Sequence, residues 1–292
     1  MLIGTHHGRF HADEVFAVAI LKQVYPAAEI VRSRNPDVLK TCDIVVDVGG
    51  GKYDHHTTDK VYRENGIPYA SAGLIWRDFG EQVVCGSGTK EQNQIHTMIQ
   101  TIDERLIQGI DAEDNGFHLE KDVRIKGVPE VIGSFNPPWN SSEGENRAFN
   151  DAVDMASKIL GNQIRTAKAR LAAVYVVESA YANRDQKEIL VLSTFCPWTE
   201  TLLNLDRNEE VLFVIFRDKS EEYRIQVVPR TIGSFEARKP LPKNWAGKEH
   251  AELGRVIGID DAVFCHPARF IAGAASKESI MSMAKLALQN ES

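Results

Sequence analysis

Nine residues near the start of the chain, HHGRFHADE at 6–14, carry three histidines, an aspartate and a glutamate. Imidazole nitrogen and carboxylate oxygen in one loop suit Mn, Zn, Fe or Co better than Ca, which prefers oxygen-only shells. The spacing His7-x-x-x-His11-x-Asp13 makes these three the candidate ligands. His6 reads as a bystander and Glu14 as a cap on the helix that follows. Asp47 stands at the end of a buried strand, where α/β folds place their ligands. Gly49, Gly50 and Gly51 behind it permit a tight turn but, with no GK[ST] following, make no P-loop. YDHH supplies Asp54, His55 and His56. Neighbours on an extended segment point opposite ways, so one histidine can ligate while the other faces substrate. IDAEDNG supplies Asp111, Glu113 and Asp114 at a helix C-terminus, where the helix dipole disfavours acids and a cation would explain them.

Taken singly, each piece has an ordinary reading: a polar loop, a turn aspartate, an acidic helix end. Together they exceed the needs of one zinc with three ligands. They match two ions about 3.5–4 Å apart, bridged by a carboxylate and a water. Such a centre generates hydroxide near neutral pH and steadies both oxygens of an in-line phosphoryl displacement.

Positioning these residues takes alternating strands and helices. Leu2 to Thr5 reads as a short buried strand, Asp13 to Tyr25 as a helix limited by Pro26, AEIVRSR and CDIVVDVGGG as further strands. A helix is predicted from Pro68 to Gly80, and another over NQIHTMIQTIDERLIQGI, running into DAEDNG. That alternation predicts an α/β class: an N-terminal, mostly parallel sheet with flanking helices. GVPEVIGSFNPPWNSSEGEN at 127–146 reads as a boundary loop, followed by a long helical pattern from about Arg147 to Ala182. The expected organisation is a metal-binding catalytic domain at 1–146, a connecting helix at 147–184 and a smaller α+β substrate-binding domain at 185–292. In that last part EILVLST and AVFC read as strands, EVLFVIFRD and EYRIQVVP as a hairpin, and SKESIMSMAKLALQ as a final helix.

Composition narrows the function. The 292 residues are 43% hydrophobic and 26% charged, ordinary for a globular protein with a sizeable core. No apolar run approaches the roughly 20 residues that span a bilayer, and no leader peptide is visible. Cys42, Cys85, Cys196 and Cys265 are scattered without a CxxC pair, which fits reduced thiols in the cytoplasm. A net charge of −7 argues against a coat of basic surface for nucleic acid, while leaving room for a nuclease whose positive charge is local or metal-borne.

THHGRFHADEVFA, VVDVGG, YDHH, YASAGLIW, IDAEDNG, SFNPPW, RKPLPKNWAG and FCHPARFIAG span nearly the whole chain. In that order they resemble the DHH phosphoesterase superfamily, and most closely its branch named after a melanocyte proliferating gene, also described as metal-dependent protein hydrolases. His11 stands where the wider superfamily has Asp, a departure that the branch shares. The resemblance implies one ion on His7, His11 and Asp47, and a second on Asp13, Asp47, His55 and Asp114, with Asp47 bridging and Asp111 the substitute for Asp114. It places His56 at the phosphate. It implies a two-metal phosphodiesterase, a 3′-to-5′ exonuclease of RNA or short oligonucleotides, with Mn favoured and Mg, Zn or Co as alternatives. His266, Arg269 and Gly273 become the substrate-holding candidates, and Arg230, Arg238 and Lys239 candidates to line a single-strand path. For those basic residues a solvated loop is an equal reading. A single-stranded RNA or short oligonucleotide is then the expected partner; no membrane is expected, and a homodimer is compatible with the sequence.

Other classes remain to be weighed. FHADE is similar to the HPDDE element of zinc deacetylases, but the later His-x-x-His on a helix is missing and YDHH would be left without a role. A small-molecule phosphatase acting on a bisphosphonucleotide or pyrophosphate would use the same metals on a shorter substrate. An RNA-binding protein with a structural metal would need a closed site, which the excess of ligands argues against. Trp139, Trp198 and Trp245 are given no function, since tryptophans of this kind are more often core.

Overall fold

The structure, a computed structural model, describes residues 1–117, 126–141 and 144–290. It separates into two compact units, Met1–Lys168 and Ala169–Ser292.

The first unit runs β1 (Leu2–Thr5), α1 (Ala12–Val24), β2 (Glu29–Arg32), α2 (Pro36–Leu39), β3 (Ile44–Val45), α3 (Ser71–Gly86), α4 (Gln92–Ile102), α5 (Gln108–Asp114), α6 (Val128–Gly133) and the first part of α7 (Glu145–Ala182). The sheet is parallel, in the order β2-β1-β3. Every residue of α1 from Ala12 to Leu21 is buried, as expected of a helix apolar on nearly all sides. It packs on α3, whose Ile75 and Trp76 are also buried.

Several elements differ from the sequence reading. The IVVD run forms only a two-residue strand; Val46 makes a single bridge to Tyr53, and the chain then turns at Asp47, whose φ of 58° lies in the left-handed region. α3 continues past Gly80 to Gly86, because Val83 and Val84 extend its buried face. α4 passes through five π-helical residues, Asp103–Ile107, straight into α5, so Asp111 lies inside a helix rather than after one. The short helix α6 occupies part of the expected boundary loop: Pro129 lies in its first turn and Gly127 N donates to Glu130 Oε2 at 2.7 Å. Positions 142–143 of that loop lie outside the described residues.

The second unit holds the remainder of α7, β4 (Ile189–Val191), α8 (Thr199–Leu205), β5 (Phe213–Arg217), β6 (Tyr223–Val227), α9 (His250–Ile257), β7 (Ala262–Cys265), β8 (Ile271–Ala274) and α10 (Lys277–Gln289). Its sheet order is β4-β5-β6-β8-β7, with β4 and β5 parallel and the other pairs antiparallel. Alternation along β5 feeds two cores. Phe213 and Ile215 join Leu253 of α9 and Ile280 and Met283 of α10, while Val214 and Phe216 join Ala173 and Val177 of α7 and Leu202 of α8. Among the described residues no helix is long and apolar enough to cross a membrane. The mixed α/β class expected from the sequence is the class observed.

Candidate metal centre

In the order β2-β1-β3, the chain passes from central β1 to β2 on one side and then crosses to β3 on the other, and such a reversal is where parallel α/β sheets form a crevice at their C-terminal strand ends. His6 is the first residue beyond β1 and Asp47 the second beyond β3, so both enter that crevice. The first turn of α1 adds Asp13 and Glu14, and the N-terminal end of α3 adds Ser71. His55 and His56 come from the loop after β3, and Asp114 from the end of α5.

These side chains converge. Asp47 is the hub: its Oδ2 lies 3.3 Å from His6 Nε2, while its Oδ1 lies 3.2 Å from His55 Nε2, 3.2 Å from His56 Nδ1 and 3.2 Å from the Ser71 hydroxyl. His55 Nε2 is also 3.0 Å from Asp114 Oδ2 and 3.6 Å from Asp13 Oδ2. Asp13 Oδ2 accepts from Ser71 N at 3.4 Å. His6 Nε2 is 2.9 Å from Glu14 Oε1. Its Nδ1 lies 3.1 Å from the His7 carbonyl, which can only accept, so a neutral ring keeps its proton on Nδ1 and turns Nε2 towards Glu14 and Asp47. Both oxygens of Glu14 also take the His11 N–H at 3.0 Å, the expected helix cap. Four overlapping groups arise from His6, His11, His55, His56, Asp13, Glu14, Asp47 and Asp114, with ligand atoms in each group within 4.8 Å of one another.

The electrostatics are those of a site short of positive charge. Burial pushes Asp13 well above the usual carboxylate range, and the neighbouring charges of Asp47, Glu14 and Asp114 push it further. Burial alone would lower the two buried imidazoles. Asp47 and Glu14 outweigh it at His6, raising it to about 10, and Asp114 and Asp47 do so at His55, raising it to about 9. Burial would raise Asp47, but contacts with His55 and His6 hold it well below its ordinary value.

Two details of the donors fit divalent ions. Asp13 Oδ1 is buried without a hydrogen-bond partner. His55 Nε2 crowds three carboxylates, yet it too makes no aligned hydrogen bond with any of them. Buried polar atoms are ordinarily satisfied, and close approach without hydrogen-bond alignment suits lone pairs aimed at a shared cation.

Two of the expected ligands lie apart from these groups. His7 is exposed and outside them, whereas His6, read as a bystander, is buried within one. The reason is the strand end: the first residue past β1 enters the crevice, and the next is turned out towards solvent. Asp111, the substitute for Asp114, is buried elsewhere. It accepts from Gly73 N at 3.0 Å and pairs with Arg63 Nη2 at 2.8 Å, while Arg63 binds Asp103 with two further bonds of 2.7 and 2.9 Å. Burial pushes Asp111 up to about 7 against the pull of Arg63. A β-carbon at Gly73 would collide with that carboxylate, so the glycine is required by close approach. Ser71 and this Arg63 network were not legible in the sequence: Ser71 depends on how α3 meets α1 and the loop after β3, and Arg63 on contacts with Asp103 and Asp111, 40 or more residues away.

The candidates in the second unit have mixed placements. His266 is exposed, its Nδ1 accepting from Ala268 N at 3.1 Å and its ring 4.5 Å from that of Phe270. Arg269 has a φ of 59° and donates to the Leu241 carbonyl at 3.0 Å. At Gly273 a β-carbon would meet Arg224 Nη1 at 2.6 Å and Phe264 at 2.9 Å, so packing alone accounts for it. Arg230 is half exposed between Glu209 at 3.1 Å and Glu236 at 3.0 Å. Arg238 cannot line a substrate path as expected: it is buried against Asp206 and donates to the Val211 carbonyl at 2.8 Å. Trp198 and Trp245 are core, and Trp139 is 96% exposed.

Comparison with known proteins places the whole chain. The family model described as Uncharacterised protein family (UPF0160), MYG1_exonuc, matches residues 2–288. The chain is 35% identical to the human protein named MYG1 exonuclease, over 99% of this chain and 86% of that one. It is 30% identical to the MYG1 protein of Dictyostelium discoideum, over 97% and 95% of the two chains. Among solved structures, a pGpG-specific phosphodiesterase aligns with 99% of this chain and 98% of its own at 11% identity and a TM-score of 0.31.

Proposed function

The chain belongs to the MYG1 exonuclease family, and from that premise we propose that it is a two-metal phosphodiesterase that shortens RNA or short oligonucleotides from the 3′ end. The observation that carries the proposal is the orientation of Asp47. Its two oxygens face different histidines, His6 and His55, on two sides of one buried carboxylate. That is the arrangement a bridging ligand needs. One ion would be held by His6, His11 and Asp47, with Glu14 beside it, and the other by Asp13, Asp47, His55 and Asp114. The nitrogen-rich first set favours Mn over Mg, with Zn and Co also accommodated.

When bound, divalent ions supply Lewis acidity towards a phosphoryl oxygen and lower the pKa of an attacking water. The protein's own residues do the rest. Asp47 sets the spacing of the two ligand sets, and the Ser71 hydroxyl fixes its orientation. His6 is oriented by the His7 carbonyl, and Glu14 braces the turn that carries His11. His56 has an exposed ring whose Nδ1 sits 3.2 Å from both Asp47 and Asp54, a position from which it can donate to a phosphate oxygen at the mouth of the site. The unpaired, scattered cysteines support a reducing, cytoplasmic setting.

The test uses 5′-labelled RNA and DNA oligomers with Mn, Mg, Zn or chelator. A metal-dependent ladder shortening from the 3′ end of RNA is the expected result. Release of phosphate from small nucleotides with no shortening of either polymer would replace this reading with the phosphatase.

A further inference from the structure

A recess of about 280 Å³ opens beside His55 in the first unit. Its lining combines apolar Val61, Tyr69 and Leu74 with three cations, Lys52, Lys60 and Arg77, and two acids, Asp54 and Asp59. Apart from His55, no residue of the recess belongs to the metal-ligating groups. The cations are only partly neutralised. Asp78 alone serves two of them, with Lys52 Nζ at 2.6 Å and Arg77 Nε at 3.0 Å. Lys60 Nζ donates at 2.7 Å to the side-chain oxygen of Asn115, a neutral acceptor. Asn115 is itself fixed by donating to the Asp111 carbonyl at 2.9 Å, and it directly follows Asp114, so the Lys60 ammonium is held at the rim of the metal cluster. Of the two acids, Asp54 is already engaged, its Oδ2 accepting from Gly50 N at 2.7 Å and its Oδ1 from His56 N at 3.0 Å, and Asp59 is exposed to solvent.

We propose that this recess is a second anion subsite, taking the phosphate and sugar of the nucleotide that flanks the bond to be cut. The proposal rests on the phosphodiesterase reading of the metal cluster. Lys60 and the free guanidinium nitrogens of Arg77 suit a phosphate, which charged donors bind more strongly than neutral ones do. The wall of Val61, Tyr69 and Leu74 suits a ribose or base laid flat. The volume falls just below the roughly 300–1,000 Å³ of drug-sized pockets, which fits one nucleotide unit and no duplex. A substrate with a phosphate next to its scissile diester is therefore held at two points, and one without it at a single point.

The experiment compares two dinucleotides, pApA and ApA. Binding is measured calorimetrically in Mn with their methylphosphonate-linked analogues, which resist hydrolysis, and turnover with the natural diesters. The wild type binds the 5′-phosphorylated analogue about tenfold more tightly, the worth of a charge-assisted hydrogen bond. Lys60→Ala and Arg77→Ala each remove most of that difference, and Lys60→Arg keeps it. In turnover the alanine variants raise KM for pApA by a larger factor than they lower kcat. Equal wild-type affinity for the two analogues, or a preference that survives both alanine substitutions, overturns the subsite. If the wild type shows the Lys60-dependent preference but cleaves neither dinucleotide with any metal, the subsite stands and the phosphodiesterase reading falls.

Discussion

Asp13 and Asp206 are both buried aspartates, one in each unit, and they have opposite surroundings. Asp206 is met on every side: by Arg238, by Val211 N at 2.8 Å, by Glu210 N at 3.2 Å and by the Tyr181 hydroxyl at 3.2 Å. Burial would raise its pKa, but those donors hold it below the ordinary carboxylate range. Asp13 has carboxylates for neighbours, one oxygen without a partner, and is pushed in the other direction. A buried charge that is fully partnered serves the fold. A buried charge kept among its own kind destabilises the empty fold and is retained for something else that binds.

Removing the hub carboxylate breaks the comparison most severely. Asp47→Asn should lower metal-dependent turnover by at least about 100-fold, since even outer partners of ligands are worth 10–100-fold. In chelator the variant should also melt modestly earlier than the wild type, because the contacts with His6 and His55 that hold Asp47 below its ordinary value are lost, partly offset by removal of a like charge beside Asp13. Turnover with Mn and a melt in chelator measure the two halves; a variant that keeps its activity would remove Asp47 from the chemistry. Arg238→Ala should cost stability alone. It leaves Asp206 buried and unpaired, at about 3–5 kcal/mol of stability in urea unfolding, with Mn affinity unchanged. A drop in Mn affinity with stability intact would contradict the structural role given to it.

Neighbouring histidines sharpen the same point on a finer scale. His6→Ala should weaken Mn binding at least tenfold and His7→Ala no more than about twofold, because only His6 sits among the carboxylates. Equal effects, read by calorimetric titration with Mn, would mean that the crevice admits both side chains.

This pair also shows what a sequence makes legible. The alternation of strands and helices, the helix starting near Asp13 and the long helix to Ala182 follow from local periodicity and were readable. So was the convergence of His11, Asp13, Asp47, His55 and Asp114, which needs only that strand ends share one edge of a sheet. The choice between His6 and His7 depends on where β1 stops, a single-residue question that hydrogen bonding to β2 and β3 decides. Asp111 and Asp114 are one helical turn apart, and only the position of Arg63, distant in sequence, tells them apart. Arg238 looked like part of a basic surface because Asp206, 32 residues away, is invisible to local pattern.

The smallest effect, and the one that compares the two units within a single sample, is on stability as a function of pH. In the first unit His6 and His55 have folded values of about 10 and about 9, above the ordinary 6.5, so their contribution is full below pH 6.5 and is lost as pH rises through 9 and 10. Asp111, raised to about 7, and Asp13, also raised, act in the same sense, contributing below pH 3.8 and losing that contribution as pH rises through their folded values. Asp206 has the opposite sign: its lowered value adds stability above pH 3.8 that disappears only in acid. In chelator, hydrogen exchange should therefore show protection around β1 and α1 declining from pH 6 to pH 9, after correction for the intrinsic rate, while β5 and β6 stay level. Saturating Mn should flatten the first curve and leave the second alone, because a cation takes over the role of the protons. Parallel curves for the two units, or a decline that Mn does not reverse, would mean that the carboxylates around Asp13 are balanced within the protein and are not waiting for an ion.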